Sequence, residues 1–407
     1  MDAFYVSVEL LRHPELHGLP VVVGGTAGRG VVSAASYEAR RYGVYSAMSS
    51  ATARKLCPNA VFLPPDISHY IEVSRHLHTV FESFTPLVEQ ISVDEAFMDV
   101  SGATTLMGDA VSIAWQLRER VMAETKLSCS VGIAPNKFLA KLASEHAKPK
   151  ATPDGIAPGH QVFQVKPGDE LKFLLPLPVQ AIWGVGPATL KKLESIGVRR
   201  VSDLAQLDES VVCAAVGDAH GRHLYALSHG KDNRPVEPER IAKSIGHEET
   251  FAHDHHLRST LDRELVQFAD AVASRLRAQG LVARTIQLKV RFGDFTTITR
   301  STTLAVSVDD SHSLLEAGRQ LLELVDPAQG VRLLGLSVSG LSSDSSKQLT
   351  FDEATSGPGW QEADRMIDEI RARFGDDAIG PAISAGPDGL RLKRRGNQQW
   401  GPDAEMS

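Results

Sequence analysis

The stretch Val88-Glu89-Gln90-Ile91-Ser92-Val93-Asp94-Glu95-Ala96-Phe97-Met98-Asp99-Val100 reads as a β-hairpin with two adjacent carboxylates inside it. Val88, Ile91, Val93, Phe97 and Val100 supply its apolar content. Adjacent strand residues point to opposite faces. Asp94 and Glu95 therefore converge only if the backbone kinks between the strands. Like charges aimed at one point repel unless a cation sits between them. Divalent ions held by such a pair can activate an attacking oxygen and stabilise a leaving one in phosphoryl transfer. Taken alone, an ordinary Asp-Glu turn is the competing reading, because such pairs are frequent.

Around this hairpin, strand and helix signals alternate. Val21–Val23 and Val31–Val32 read as two strands joined by a glycine-rich turn, and Val61–Leu63 as a third. Residues 37–53 carry a helical pattern broken near Gly43, and His69–Phe84 reads as a helix. Apolar residues at Leu106, Ala110, Ile113, Leu117 and Val121 mark one face of another. A strand over 128–133 and an amphipathic helix over 136–146 follow. This order predicts an α+β domain, a sheet covered by helices. A Pro/Gly-rich loop spans 148–159, and residues 178–230 read as all-helical. The polar segment 235–240 reads as a linker. A second α+β unit follows: a helix over 257–279, a hairpin over 285–304, a helix over 311–324 and a strand over 331–338. Beyond Ser342 the chain is polar and is expected to be mostly flexible apart from a helix near 361–374.

Composition bounds the function. The 407 residues, 42% of them hydrophobic, suggest two to four domains with real cores. No apolar run is long enough to span a membrane, and the N-terminus has no basic region of a signal peptide. The three cysteines, Cys57, Cys129 and Cys213, are far apart, which fits a reducing cytoplasm. The net charge is −7, but residues 275–300 carry six basic side chains against Asp294 alone. A basic face on an acidic protein is compatible with that distribution.

Further motifs carry chemistry. Tyr37 and Arg40 share a helix face at i, i+3 and suit a phosphate, or form a solvated helix surface. Lys148 follows a helix and either reaches a terminal phosphate or is a surface-loop lysine. Trp183-Gly184-Val185-Gly186-Pro187, with Lys191 and Lys192 beyond, matches a helix-hairpin-helix that holds a DNA phosphate on backbone N–H groups, or a plain packing corner. Arg284, Lys289, Arg291 and Arg300 lie on or near a hairpin. Alternation places Lys289 and Arg291 opposite Leu288, Val290 and Phe292, a basic face suited to a nucleic-acid backbone or to water. Gly28-Arg29-Gly30 reads as a β-turn, since it lacks the strand and helix context of a nucleotide loop.

Together these stretches resemble the Y-family DNA polymerases, in particular the bacterial DNA polymerase IV class. The matching segments are MDAFYVSVE at 1–9, SYEARRYGV at 36–44, CPNAVFLPPD at 57–66, SVDEAFMDV at 92–100, SVGIAPNKFLAKLAS at 130–144, AKP at 147–149, WGVGP at 183–187 and RLLGLSVSGL at 332–341. The resemblance covers about residues 1–345. It implies a multidomain right-hand architecture: a palm over 1–175 with inserted fingers at about 4–68, a helix-hairpin-helix thumb over 176–234, an α+β little finger over 241–343, and a tail over 344–407. It implies error-prone, translesion DNA synthesis on primer–template DNA from dNTPs, without proofreading, by a monomer in the cytoplasm. Two Mg²⁺ ions, with Mn²⁺ as the alternative, are implied at Asp94 and Glu95, the latter the catalytic carboxylate.

By the same resemblance Tyr5 is the steric gate against a ribose 2′-OH. Tyr37, Arg40 and Lys148 hold the triphosphate. Gly184, Val185, Gly186, Lys191, Lys192 and the basic strands hold DNA. Gln348-Leu349-Thr350-Phe351 resembles a sliding-clamp peptide, with Gln348, Leu349 and Phe351 as its anchors. Two departures stand out. The family's other metal-binding aspartate lies two positions before the one matching Asp2, hence immediately before Met1. Either the true start lies upstream or half the metal site is missing, and the alternative expectation is a non-catalytic DNA-binding paralogue. A helix-hairpin-helix nuclease or repair scaffold is a further rival, but it would need a separate catalytic cluster. Ala34 stands where a hydroxyl residue is common near the phosphates, which is expected to weaken nucleotide contacts modestly.

Overall fold

The computed structural model describes residues 1–26, 28–239, 242–343, 359–386 and 389–390. Val21–Gly24 pairs antiparallel with Val32–Ala35 and parallel with Val61–Leu63. This small sheet separates two cores. Val21, Val23 and Ala34 pack with Tyr70, Leu77, Ile113 and Leu117. Val22, Val32 and Ala35 pack with Ala39, Val44 and Ala53. The helical pattern over 37–53 resolves into two short helices, Tyr37–Arg40 and Ser50–Leu56. Each starts at a serine, Ser36 or Ser49, whose hydroxyl accepts a first-turn N–H. A helix over Phe4–Arg12, with Phe4, Val6 and Val8 buried, precedes the sheet.

The predicted hairpin is present: Val88–Gln90 pairs antiparallel with Ala96–Met98. Helices Ile67–Glu82 and Ala110–Thr125 pack beside it on the first core. Val131–Ile133 pairs parallel with Val162–Gln164, a strand not legible in the sequence. The Pro/Gly-rich loop also holds a small hairpin, Lys150–Thr152 with Gly155–Ala157. The helix Lys137–Ala147 lies so close to Gly132 that a Cβ there would sit 2.1 Å from the Ala140 carbonyl and 2.2 Å from the Ser144 nitrogen.

Residues 178–230 are helical as expected, around a core of Leu193, Val201, Leu204, Val212, Leu224 and Leu227. One difference concerns the Gly184–Gly186 motif. Its leading helix is a single 3-10 turn, Val179–Ala181, and only the trailing helix, Pro187–Ser195, is regular.

The last sheet runs in the order Ser244–His255, Val331–Ser339, Ala283–Phe292, Thr297–Val308, all antiparallel. Helices Arg258–Ala278 and Ser311–Glu323 cover one face over a core of Leu265, Phe268, Ile286, Leu288 and Leu336. The 12-residue strand Ser244–His255 is missing from the sequence reading for a physical reason. Two of its inward positions are His247 and Glu249, buried together with Nε2 and Oε1 3.2 Å apart. The alternation is intact, but half of its inward side is polar.

The helix expected near 361–374 is present as Trp360–Phe374. Helix Trp360–Phe374 is fixed to the sheet unit by Arg277, which reaches Asp364 at 2.9 Å and Asp368 at 2.6 Å, and by Arg371 with Asp270 at 3.0 Å. Of its polar residues Asp364 and Arg371 are buried in these pairs, and Glu362, Arg365, Glu369 and Arg373 face solvent. No helix among the described residues is long and apolar enough to cross a membrane.

Gly132→Ala is expected to lower stability by about 1–3 kcal/mol, because the clash is with helix backbone and cannot be relieved by a rotamer change. Thermal unfolding of the purified variant checks this.

Candidate active site

The kink that the carboxylate pair requires is present. Residues 91–95 are irregular between the two strands, and the Glu95 carbonyl accepts from both Ile91 N (3.0 Å) and Ser92 N (3.3 Å). The Ser92 hydroxyl donates to Asp94 Oδ1 at 2.8 Å. Asp94 Oδ2 lies 3.9 Å from the Met1 ammonium, which donates to the Asp94 carbonyl at 2.8 Å. Glu95 Oε2 accepts from Lys141 Nζ at 2.8 Å, and Glu95 Oε1 lies 3.9 Å from Lys148 Nζ. Burial alone would raise the Glu95 carboxyl, but Lys141, Lys148 and the N-terminal ammonium hold it below its ordinary value.

The lysines come from one helix and its cap. Lys137 and Lys141 stand at i and i+4 on the helix Lys137–Ala147, and Lys148 caps its C-terminus in extended backbone. Lys137 bonds Glu89 Oε2 at 2.6 Å, and both side chains are about nine-tenths buried. Glu89 Oε2 also accepts from the backbone N–H of Glu237 at 3.0 Å. One buried ion pair thus joins the hairpin, the lysine helix and the segment leading to the second sheet. Lys137 and Lys141 were missed in the sequence, where only the apolar face of this helix was read. Their spacing opposite Glu89 and Glu95 was the available signal.

Tyr5 stacks on Tyr70 with centroids 4.4 Å apart. Burial, and then the charge of Asp94, raises its pKa, which places the ring beside the carboxylate turn. Tyr70 is itself fixed by donating to Glu9 Oε1 at 2.7 Å. Arg40 lies over the Tyr37 ring at 4.7 Å and donates to the Ala35 carbonyl at 3.1 Å. The Tyr37 hydroxyl is buried without a well-formed hydrogen bond, and burial pushes its pKa up to about 12. An unfilled polar group beside a guanidinium is suited to a phosphate oxygen. Lys148 pairs with Glu145 as well as facing Glu95. Asp2 accepts from the Ser130 hydroxyl at 2.8 Å and is buried.

Trp183 ties this centre to the glycine turn. Lys141 and Arg234 lie 5.6 and 5.7 Å from its ring, and Phe97 6.2 Å away. A cleft of about 520 Å³ runs between the lysine helix and residues 180–186. Gly184 has φ +102, which the turn requires and a side chain would oppose. Lys191 and Lys192 are exposed.

The basic strands are less uniform than expected. Lys289 is paired with Glu248 at 2.7 Å across Gly335, whose missing Cβ leaves room for the contact. Arg300 stands opposite Leu288 in the register, so its Cβ projects to the helix-covered side. Arg291 keeps the expected outward direction and bonds Thr297 Oγ1 at 2.9 Å. An irregularity at 283–285 turns Arg284 to solvent, where it bonds the Leu304 carbonyl. The peptide with Gln348, Leu349 and Phe351 lies outside the described residues.

Residues 1–145 match the impB/mucB/samB family, residues 167–198 the IMS family HHH motif, and residues 242–351 the impB/mucB/samB family C-terminal domain. A DNA polymerase IV of Desulfatibacillum aliphaticivorans is 41% identical over 386 residues, 94% of each chain. The chain belongs to the Y-family DNA polymerases. A DNA polymerase IV of Streptomyces coelicolor is 44% identical over 344 residues, 84% of this chain and 70% of that one. The non-catalytic alternative finds no support among these relatives. The right-hand polymerase fold is shared with a Y-family DNA polymerase chimera (TM-score 0.72, 22% identity, 83% of this chain and 96% of that one). It is shared too with DinB from Sulfolobus solfataricus (TM-score 0.55, 23% identity, 83% and 96%).

Members of this family imply a divalent metal. Asp94 and Glu95 supply hard oxygen donors of the kind Mg²⁺ takes together with substrate phosphates. Three cationic groups now neutralise the pair, so a metal ion would bind there in exchange for these contacts. Among the described residues no group of three or more ligating side chains forms.

Lys137→Met is expected to destabilise the chain by about 3–5 kcal/mol, because it leaves the buried Glu89 carboxylate without its counter-charge. Adding Glu89→Gln should recover most of the loss. Denaturation midpoints of the two variants check both.

Proposed function

We infer that this polymerase extends a primer 3′-OH on a DNA template by attack on the α-phosphate of a dNTP, with pyrophosphate leaving. The observation that carries this reading is the kinked Asp94–Glu95 turn, with Tyr5 beside it, Lys148 facing it and the Tyr37–Arg40 pair on the short helix after the small sheet. A bound divalent ion would sit at Asp94 and Glu95 and stabilise charge on the attacking and leaving oxygens. Two ions, Mg²⁺ in preference to Mn²⁺, are proposed on the family likeness.

The chain's own groups do the positioning. Arg40 and the Tyr37 hydroxyl bind phosphate oxygens, and Lys148 adds a mobile positive charge as the triphosphate enters. Lys141 keeps Glu95 ionised and pointed at the turn. Tyr5, fixed against Tyr70, presents a flat ring where a ribose 2′-OH would fall and so favours deoxynucleotides. The Gly184–Gly186 turn, Lys191 and Lys192 hold backbone phosphates by N–H groups and charge. These contacts use the backbone and not the base sequence, which fits a template-tolerant enzyme.

Error-prone synthesis past damage, the lack of proofreading, a monomeric state and a cytoplasmic location are further parts of the proposal and rest on the family. The 348–351 peptide is proposed to bind a sliding clamp. The domain boundaries 1–175, 176–234, 241–343 and 344–407 are proposed as well, the last containing the helix Trp360–Phe374.

The test is primer extension on a primed template with one dNTP and Mg²⁺. The chain should extend the primer, and Asp94→Ala should lose roughly a thousandfold, about 4 kcal/mol of transition-state stabilisation. Tyr5→Ala should raise ribonucleotide insertion relative to deoxynucleotide insertion. Primed DNA that is bound but never extended would overturn the reading.

A further inference from the structure

The glycine turn owes its packing to Ile182 and Val185, not to Trp183. Both of those side chains are buried and pack with Phe138, Leu193 and Leu224. The turn closes through its backbone: Val185 N donates to the Ile182 carbonyl at 3.0 Å, and Gly186 N to the Gly184 carbonyl at 3.1 Å. Trp183 is 41% exposed and lines the cleft between this turn and the lysine helix. Neither the turn nor the helical core accounts for an indole at this position.

What surrounds the indole is charge and one more ring, each from a different segment. Lys141 Nζ, on the helix Lys137–Ala147, lies 5.6 Å from the indole centroid. Phe97, on the strand Ala96–Met98 that follows Glu95, lies 6.2 Å away and is tilted by 41°. Arg234, in the segment leading to Glu237, lies 5.7 Å away and is itself fixed by both oxygens of Asp232, at 2.7 and 2.8 Å. Lys137 Nζ lies 5.6 Å from the Phe97 ring. Cation and ring thus alternate from Lys137 through Phe97 and Trp183 to Lys141. The series ends on a carboxylate, because the Lys141 ammonium also donates to Glu95 Oε2 at 2.8 Å.

A lysine ammonium on its flexible four-carbon stem has many places to go in an open cleft. An aromatic face narrows that choice by attracting the cation, and the indole face attracts it most strongly. We propose that Trp183 is a positioning residue: its indole confines the Lys141 ammonium to the place where it meets Glu95, and so ties the seating of the glycine turn to the carboxylate turn. Trp183 acts through Lys141 and not on a reacting atom. The inference rests on the polymerase reading, which supplies the reaction that Glu95 serves.

The test is single-turnover insertion of one dNTP by the full chain on a primed template with Mg²⁺, beside binding of the same primed DNA by fluorescence anisotropy. Trp183→Leu keeps an apolar side chain and removes the aromatic face. Its maximal insertion rate should fall about tenfold (~1.4 kcal/mol). The half-saturating dNTP concentration and the affinity for primed DNA should stay within about twofold. Trp183→Phe should recover most of the rate. In a Lys141→Met background, Trp183→Leu should produce no further loss. The same loss in that background, a loss of DNA affinity in place of rate, or no loss at all overturns the proposal. A second readout needs neither substrate nor a folded Trp183→Leu chain. Lys141→Met should change the tryptophan emission, and Lys141→Arg, which keeps a cation over the ring, should not; an emission that Lys141→Met leaves unchanged overturns the contact. If the parent extends primers and Trp183→Leu matches its rate, this inference falls alone. If the parent binds primed DNA and never extends it, the polymerase reading falls with it.

Discussion

Two acidic side chains of one hairpin face a row of lysines on one helix, and the rest of the catalytic unit is arranged around that attraction. Glu89 and Lys137 are buried together at 2.6 Å, a pair that is costly to break from one side only. One turn along, Glu95 and Lys141 repeat the contact at 2.8 Å in a wetter position. The inner pair fixes the register of hairpin against helix. The outer pair then holds Glu95 in place without fully burying it. Because Glu89 also accepts from the Glu237 backbone, the same contact anchors the path to the second sheet unit.

This arrangement explains why a substrate-free site with concentrated negative charge does not repel itself apart. Lys141, Lys148 and the Met1 ammonium all lie near Asp94 or Glu95. Their charge keeps Glu95 ionised despite partial burial. In the proposed reaction a divalent cation and a triphosphate would bring opposite charges, and the lysines would turn from the carboxylates to the phosphates with little change in net field. The Tyr37 hydroxyl, buried beside Arg40 without a good partner, has the complementary property: its environment improves when an oxygen anion arrives.

Polar side chains settle the other unit too. His247 and Glu249 fill the inner face of an edge strand, and Arg277 and Arg371 fasten helix Trp360–Phe374 to its neighbours. In each case a few polar side chains of a segment that composition marks as water-loving are buried through mutual pairing. Lys289 shows the reverse: a lysine that alternation directs to a basic face is instead neutralised by Glu248 through the gap left by Gly335.

The sequence by itself determined the α+β order, the carboxylate hairpin, the Tyr37–Arg40 pair and the glycine turn. Each is a local pattern, set by alternation, helix spacing or a backbone demand within a few residues. It did not determine that Lys137 and Lys141 meet Glu89 and Glu95, that Ser244–His255 is a strand, that Arg300 points to the helix side, or that Arg29 reaches Asp254. These are contacts between segments distant in the chain, and a charged residue carries no local mark of its partner. Hydrophobic periodicity names the face of an element that will be buried. Only tertiary structure decides which charges are buried with it, because each such charge is tolerated only where packing brings its counter-charge within reach.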